Sequence, residues 1–582
     1  MATLLPVSSS AQTLAAAPWL RHYPTCVPAH LDYPEIPAWG FLERSAQDHP
    51  DRTACIYYKQ QMNYRQLSME ARRVAAMLVR FGVRPGERVG MLLPNMPEFL
   101  AVLNGIWMAG GIAVSVSPLM VAEEVSDLLA LTECRIVISL DVLAPTVLNG
   151  AYQPDHVLLT TIQDRLPAWQ QLPYALARLK RLGWRPPTAG PKRHWLHREL
   201  AKSDAGFTPP ELASLDEPAF ILATGGTTGC PKAVTLSHRN LVSNAHQLHH
   251  WAGYAMARDS ILSVVPFFHS YGLTTCAMSG MAMAATLIMH HRFVPKIVAR
   301  LIETHEPTVF QAVPAMLVAL NELLKTKPVR YRALRYCISG GAPLDPAVGE
   351  EFASHTGAVV VEGFGLSEAS PVTHSGPLDG TGRMGTIGLP LPDTQVRIVD
   401  AETGRTILPP GEVGELIVKG PQVMLGYWRN PEATRRTIRD GWLYTGDLAT
   451  CDQDGFFRIV DRKKDLIITS GFNVYPTDVE HVLRRCPEIQ DVAIVGVPDR
   501  ERGELVKAFV VPAAGRPFHQ RAFEEFAKEH LAKYKRPLAI EVCQGDLPRN
   551  FLGKVYRRKL REPGTPADST GHPQGATSEP AA

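Results

Sequence analysis

Between residues 46 and 118 the spacing of apolar residues changes from one stretch to the next. Residues 70–81 place them at helical spacing, 88–93 form an apolar run of strand length, and 97–108 return to a helical pattern opened by Pro97. Alternation of this kind predicts an α/β fold with layered sheets. Apolar runs at 219–223, 261–265 and 359–362 predict further strands. Two stretches, 101–121 and 260–291, carry no Asp, Glu, Lys or Arg. Gly105, Gly110, Gly111 and Pro118 break the first, and Pro266, His269 and Gly272 break the second. A buried helix turning into a buried strand accounts for such patterns better than a membrane span.

The pattern changes at 461. The charge run DRKKD (461–465) follows apolar 456–460, and beyond it 479–485 reads as helix, 491–497 and 506–511 as strands, and 523–531 as helix. This predicts a small α+β domain over 465–561 behind a large domain over 1–460. Residues 1–40, rich in Pro and Ala, are expected to wrap the surface. The tail 562–582 has no apolar period and is expected to be disordered.

Composition narrows the function. Lys and Arg number 60 against 57 Asp and Glu, a net charge of +3, which gives no argument for nucleic acid as a partner. The nine cysteines are scattered without a Cys-x-x-Cys, so a reducing compartment fits best. No basic residue precedes Arg21, and the N-terminal stretch does not read as a signal peptide. A cytoplasmic protein is expected.

The strongest local signal is LATGGTTGCPK at 222–232, directly after an apolar strand. Gly225, Gly226 and Gly229 free the backbone to aim N–H groups at one point; Thr224, Thr227 and Thr228 add hydroxyls, and Lys232 adds a charge. Such a loop suits phosphate oxygens, although Pro231 before the lysine departs from a Walker A loop. By itself it is also a plausible flexible turn. GFGLSE at 363–368 sets a carboxylate past a Gly-rich strand end, suited to Mg2+ on a triphosphate. GWLYTGD (441–447), DRKKD (461–465) and LPRNFLGK (547–554) follow.

Together, in this order, these motifs resemble the adenylate-forming enzymes, from about residue 33 to 561. TGGTTG, KGPQVMLGYW (419–428) and DRKKDLIITSGFNVYP (461–476) look most like the bacterial long-chain fatty-acid–CoA ligases. The resemblance implies a large N-terminal domain and a small mobile C-terminal one, with a hinge at 461–464. It implies two half-reactions: a carboxylate and ATP give acyl-AMP and pyrophosphate, then coenzyme A takes the acyl group. The loop 224–232 is expected to hold phosphates, Glu368 to hold Mg2+, and Ser367 to touch a phosphate. Gly341, Ala342, Pro343, Phe364 and Gly365 are expected around adenine, with Asp447 and Arg462 at the ribose. Lys554 is expected at the reacting carboxylate, His269 at the acyl wall, Lys464 as the hinge residue and Gly471 at the coenzyme A channel. Ala233 stands where the family usually has Gly, and Phe364 where Tyr is common. With His269 and Ser270 and no acid in that region, an amino-acid substrate is disfavoured. Aromatic or medium-chain acids, or a carrier-protein acceptor, remain alternatives.

The segment 141–215 looks like a basic insertion. Between Arg178 and Lys202 it has eight Lys or Arg and one acid, Glu199. Leu172, Leu176 and Leu179 recur at helical spacing with Trp169 and Tyr174, and Arg178, Lys180, Arg181, Arg185, Lys192 and Arg193 follow. One reading makes 164–202 a peripheral contact with the inner membrane face; the other makes it a solvated basic hairpin on the large domain.

Overall fold

The helix expected at 70–81 starts earlier, at Tyr64, because Asn63 and Gln66 close a capping box, and it ends at Arg80. Its buried face, with Leu67, Ala71, Val74 and Leu78, packs on the helix Pro97–Met108, which is buried along its whole length. The uncharged stretch 101–121 is thus a core helix followed by the strand Ile112–Ser115. The computed structural model describes residues 17–182, 190–224, 232–253, 255–327, 331–515, 517–549 and 555–561. Among them no helix is long and apolar enough to cross a membrane. The tail 562–582 lies outside the described residues.

Packing divides the chain into two compact units: 1–396 with 418–444 and 453–456, and 397–417 with 445–452 and 457–582. The second unit therefore begins a few residues before the charge run at 461 and also takes in two earlier segments. Antiparallel pairing of Trp442–Cys451 with Phe457–Arg462 draws 445–452 in. Strand pairing between distant segments leaves no mark in local periodicity.

The first unit holds two largely parallel sheets. In one, the strands run Leu389–Pro390, Val372–Ser375, Val359–Gly365, Tyr336–Ser339, Val309–Ala312, Ser260–Ser263, Thr286–Met289, Thr53–Tyr57 and Gln60–Asn63. In the other they run Gly426–Tyr427, Lys232–Ser237, Pro218–Thr224, Ile112–Ser115, Arg88–Leu92, Ile136–Leu140, His156–Thr160 and Arg193–Trp195. Polar side chains tie the two sheets together. Asn95, just past the strand Arg88–Leu92, donates to the carbonyls of Ser263 and Val265 and accepts from the Phe267 N–H. Ser115 donates to the Phe268 carbonyl at 2.7 Å. Both contacts sit at the C-terminal ends of parallel strands, where open α/β sheets bind ligands. Residues 17–40 lie against this unit, with Tyr23 donating to the Pro390 carbonyl and Asp393 accepting from Tyr33.

The basic segment 141–215 contributes two strands, His156–Thr160 and Arg193–Trp195, to the second sheet. Its helix Ala168–Arg181 is turned opposite to the usual amphipathic sense. Arg178 faces inward, with Nε 2.6 Å from the buried Asp141 carboxylate and its guanidinium 5.7 Å from the Trp195 ring centre. Trp169, Leu172 and Leu176 face outward and are 71%, 69% and 52% exposed. Arg178 is therefore an internal ion-pair partner rather than a lipid headgroup contact, and Leu179 and Tyr174 are half-buried rather than outward.

In the second unit a sheet is ordered Phe472–Val474, Ile467–Thr469, Gly503–Pro512, Ile489–Asp499, with Ala539–Val542 beside Gly503–Pro512. Alternate residues of Ile489–Asp499 serve opposite faces. Val492 and Ile494 pack with Val479, Leu483 and Phe523 of the helices Pro476–Leu483 and Gln520–His530; Ala493 and Val495 pack with Phe509, Leu547 and Leu560.

Candidate active site

The Gly-rich loop is held at its stems. Pro218–Thr224 and Lys232–Ser237 form an antiparallel pair in which Thr224 stands opposite Lys232, and the Thr224 hydroxyl donates to the Lys232 carbonyl at 3.2 Å. Gly225, Gly226, Thr227, Thr228 and Gly229 lie outside the described residues. Ala233 is buried in extended strand opposite Ala223, so its methyl meets no positive-φ requirement.

The carboxylate predicted at 368 comes from the end of Val359–Gly365. This strand pairs in parallel with Tyr336–Ser339 and antiparallel with Val372–Ser375. A side chain at Gly365 would come within 2.0 Å of the Pro371 carbonyl oxygen, which explains the glycine. The chain then turns through a 3₁₀ segment, Ser367–Ala369, that carries Glu368. Ser367 Oγ lies 3.2 Å from Ser270 Oγ, next to His269. His269 is half-buried and its Nδ1 accepts from the Tyr271 N–H, capping the following turn.

Gly341, Ala342 and Pro343 follow the strand Tyr336–Ser339, and the next N–H, that of Leu344, donates to the Glu362 carboxylate at 2.9 Å. Glu362 was not singled out in the sequence, although it stands two residues before Phe364. Burial pushes its carboxyl from 4.5 up to about 7, opposed by that hydrogen bond. Phe364 is half-buried and meets His374 edge-on at 6.0 Å. Burial drives the His374 imidazole down to about 3, so it is neutral.

A second residue missed in the sequence reading is Tyr427. The run 419–428 pairs as a short strand, Gly426–Tyr427, with Thr235 and Val234. Backbone bonds from Leu425 to Thr235, from Trp428 to Ala233 and from Met424 to the Glu368 carbonyl fasten it on both sides. The Tyr427 hydroxyl donates to the Glu368 carboxylate at 2.9 Å, and the Lys232 ammonium lies 4.8 Å from the Tyr427 ring centre. Motif order leaves 232, 368 and 427 far apart; the sheet edge brings them together. The Glu368 carboxylate and the Ser367 hydroxyl are hard oxygen donors of the kind a small divalent cation takes alongside phosphate and water.

In the second unit Asp447 and Arg462 are paired residues on adjacent strands, with Arg462 Nε 2.9 Å from the buried Asp447 carboxylate. The Thr445 hydroxyl accepts the Asp447 N–H. Lys464 is exposed in the 3₁₀ turn Lys463–Asp465; partial desolvation and the cations Arg462 and Arg561 lower its ammonium pKa, against Asp465 and Asp447. Gly471 is exposed in the turn joining Ile467–Thr469 to Phe472–Val474. Lys554 lies outside the described residues; Arg549 and Val555, which flank it, form a backbone bridge.

Comparison with known proteins agrees with this arrangement. Residues 42–428 match the family described as AMP-binding enzyme, and 478–554 match the AMP-binding enzyme C-terminal domain. The long-chain-fatty-acid–CoA ligases of Bacillus subtilis and Escherichia coli are 37% and 34% identical, each alignment covering 94% of this chain and 98% of the relative. A feruloyl-CoA synthase from Amycolatopsis is 32% identical over 89% of this chain and 97% of its own. Among solved structures, ATP-bound MatB from Rhodopseudomonas palustris has a TM-score of 0.77 at 29% identity, covering 90% of this chain and 98% of that one. A Mycobacterium tuberculosis fatty acyl CoA synthetase has a TM-score of 0.69 at 28% identity, covering 90% and 97%. The chain belongs to the AMP-binding enzyme family.

Proposed function

We propose that this protein is an AMP-forming long-chain fatty-acid–CoA ligase. The observation that carries the reading is the meeting of Lys232, Glu368 and the Thr224 stem at one sheet edge, in a chain so similar to ligases of that name. Two anions must meet in the first half-reaction, so neutralising charge dominates the barrier. Lys232 and the loop from Thr224 supply positive charge and donors for the phosphates. Glu368, with Ser367 beside it, would hold Mg2+, which fits because that ion takes one or two carboxylates plus phosphate and water. When bound, the ion supplies charge neutralisation on the triphosphate. Asp447 accepts the ribose hydroxyls, held in place by Arg462. Gly341, Ala342, Pro343, Phe364 and Gly365 enclose adenine. Lys554 stabilises the charge that develops as the acyl–phosphate bond forms. Gly471 belongs to the coenzyme A step, and Lys464 to the hinge over 461–464 between the two half-reactions.

The reading includes a cytoplasmic protein that touches an anionic membrane surface. Support comes from the helix Ala168–Arg181, whose outward Trp169, Leu172 and Leu176 are exposed, as are Lys180 within it and Lys192, Arg198 and Lys202 after it. An exposed apolar helix face in a basic stretch of the chain suits lipid with anionic headgroups.

The test is pyrophosphate release across an acid panel, with mass spectrometry of the thioester. C12 to C18 acids are expected to lead. The feruloyl-CoA synthase likeness names the rival: a tenfold higher kcat/KM for cinnamate-type acids, about 1.4 kcal/mol of transition-state preference, overturns the fatty-acid reading.

A further inference from the structure

We infer that Tyr427 is a positioning residue for adenylation, holding the phosphate-binding lysine and the metal-binding carboxylate at opposite parts of one side chain. The inference rests on the roles proposed for Lys232 and Glu368.

The ring face carries the Lys232 ammonium at 4.8 Å from its centre, within cation–π reach. The hydroxyl donates to Glu368 Oε1 at 2.9 Å. A carboxylate can only accept, so the Tyr427 hydroxyl is the donor and the direction of the bond is fixed. An ammonium and a carboxylate gathered at one side chain attract each other, and an ion pair between them would leave each less available to substrate. The aromatic ring gives the lysine a weak, non-neutralising seat, while the hydroxyl restricts the carboxylate without cancelling its charge. Holding long side chains in one geometry beforehand removes ordering entropy from the binding step.

The backbone is built for this placement. Tyr427 is fixed by pairing with Val234, two residues from Lys232, and its N–H donates to the Thr434 hydroxyl at 2.9 Å. Gly426 has φ 149°, and a side chain there would come within 2.7 Å of Thr434. Glycine is what allows the strand to approach the helix Pro431–Thr437 closely enough for Thr434 to reach Tyr427. Tyr427 itself is largely buried, so neither contact is a surface accident.

Two variants separate the contacts. Tyr427→Phe removes only the hydroxyl, and Tyr427→Leu removes the ring as well. Binding of a fluorescent ATP analogue is titrated with and without Mg2+, and both half-reactions are assayed, the second from synthetic acyl-AMP and coenzyme A. Tyr427→Phe should bind the analogue normally without Mg2+ but need about five- to tenfold more Mg2+ for half-maximal enhancement of binding. Tyr427→Leu should in addition weaken Mg2+-free binding about threefold. The thioester half-reaction should stay within twofold of the parent in both. An unchanged Mg2+ titration in Tyr427→Phe overturns the inference, as do equal losses in both half-reactions, which would mark a merely structural role. Glu368→Gln run alongside separates the two levels: if it too leaves the Mg2+ titration unchanged, the role given to Glu368 fails, whereas a shift in Glu368→Gln without one in Tyr427→Phe counts against Tyr427 alone.

Discussion

Arg557 and Glu480 close an ion pair of 2.7 Å inside the second unit, though 77 positions separate them. Glu480 sits on the helix Pro476–Leu483, is buried, and also accepts the Ile494 N–H. Arg557 opens the last described helix, Arg557–Arg561, three positions after Lys554. It also lies 3.9 Å from Asp465, which Arg561 meets at 3.2 Å. One guanidinium thus joins the segment following Lys554 to the 461–465 charge run. Burial raises the Glu480 pKa, and Arg557 is the main force opposing it. Arg557→Met strands a charge in the interior and is expected to lower unfolding stability by about 3 kcal/mol or more. Arg557→Met with Glu480→Met should recover much of that loss. Denaturant unfolding of the three proteins checks this, and a single variant as stable as the parent contradicts it.

Lys554→Ala is expected to reduce pyrophosphate formation by at least about a hundredfold, the scale of one lost charge-stabilising donor. Conversion of synthetic acyl-AMP and coenzyme A to thioester should be nearly unaffected. Single-turnover assays of each half-reaction decide, and parallel losses would remove Lys554 from the adenylation step.

Glu362 gives a pH signature. Its folded pKa of about 7 lies above the ordinary 4.5, so the native state holds the proton more tightly than the unfolded chain. The stabilisation is complete below about pH 4.5 and is lost as pH rises through 7, an effect of up to about 3 kcal/mol. Glu362→Gln keeps an acceptor for Leu344 but cannot ionise. The variant should therefore gain stability relative to the parent between pH 5 and pH 8. Melting temperatures of both proteins across that range provide the measurement, and a constant difference speaks against the buried carboxyl.

For the outward helix, cosedimentation with anionic liposomes is expected at low salt and should weaken as salt rises. Leu172→Asp with Leu176→Asp should abolish it, as both side chains are more than half exposed and neither supports the core. Charge reversal belongs at Lys180 and Lys192 rather than Arg178, since reversing Arg178 would set two acids against each other at Asp141. Parent protein that remains in the supernatant at low salt ends the membrane reading.

Local pattern was enough for elements whose burial is uniform or strictly periodic. Pro97–Met108 is found where the sequence places it, since a proline starts it and Ala109 and Gly110 follow its end. The short motifs were equally legible as sequence: Glu368 follows the end of the strand Val359–Gly365, where Gly365 lets the chain pass close to Pro371, and Asp447 lies beside Gly446 within the strand Trp442–Cys451. What the pattern could not supply was pairing between distant segments. Tyr427 reads as one aromatic residue in an apolar run until the strand Gly426–Tyr427 aligns beside Val234 and sets its hydroxyl against Glu368. Arg178 reads as one cation in a basic stretch until Asp141 draws it inward and turns Trp169, Leu172 and Leu176 to the outside. The second unit likewise reaches back before 461, where Trp442–Cys451 pairs with Phe457–Arg462. Periodicity reports which side of an element is apolar, whereas hydrogen bonds and ion pairs between elements decide which side is buried and what each polar group meets there.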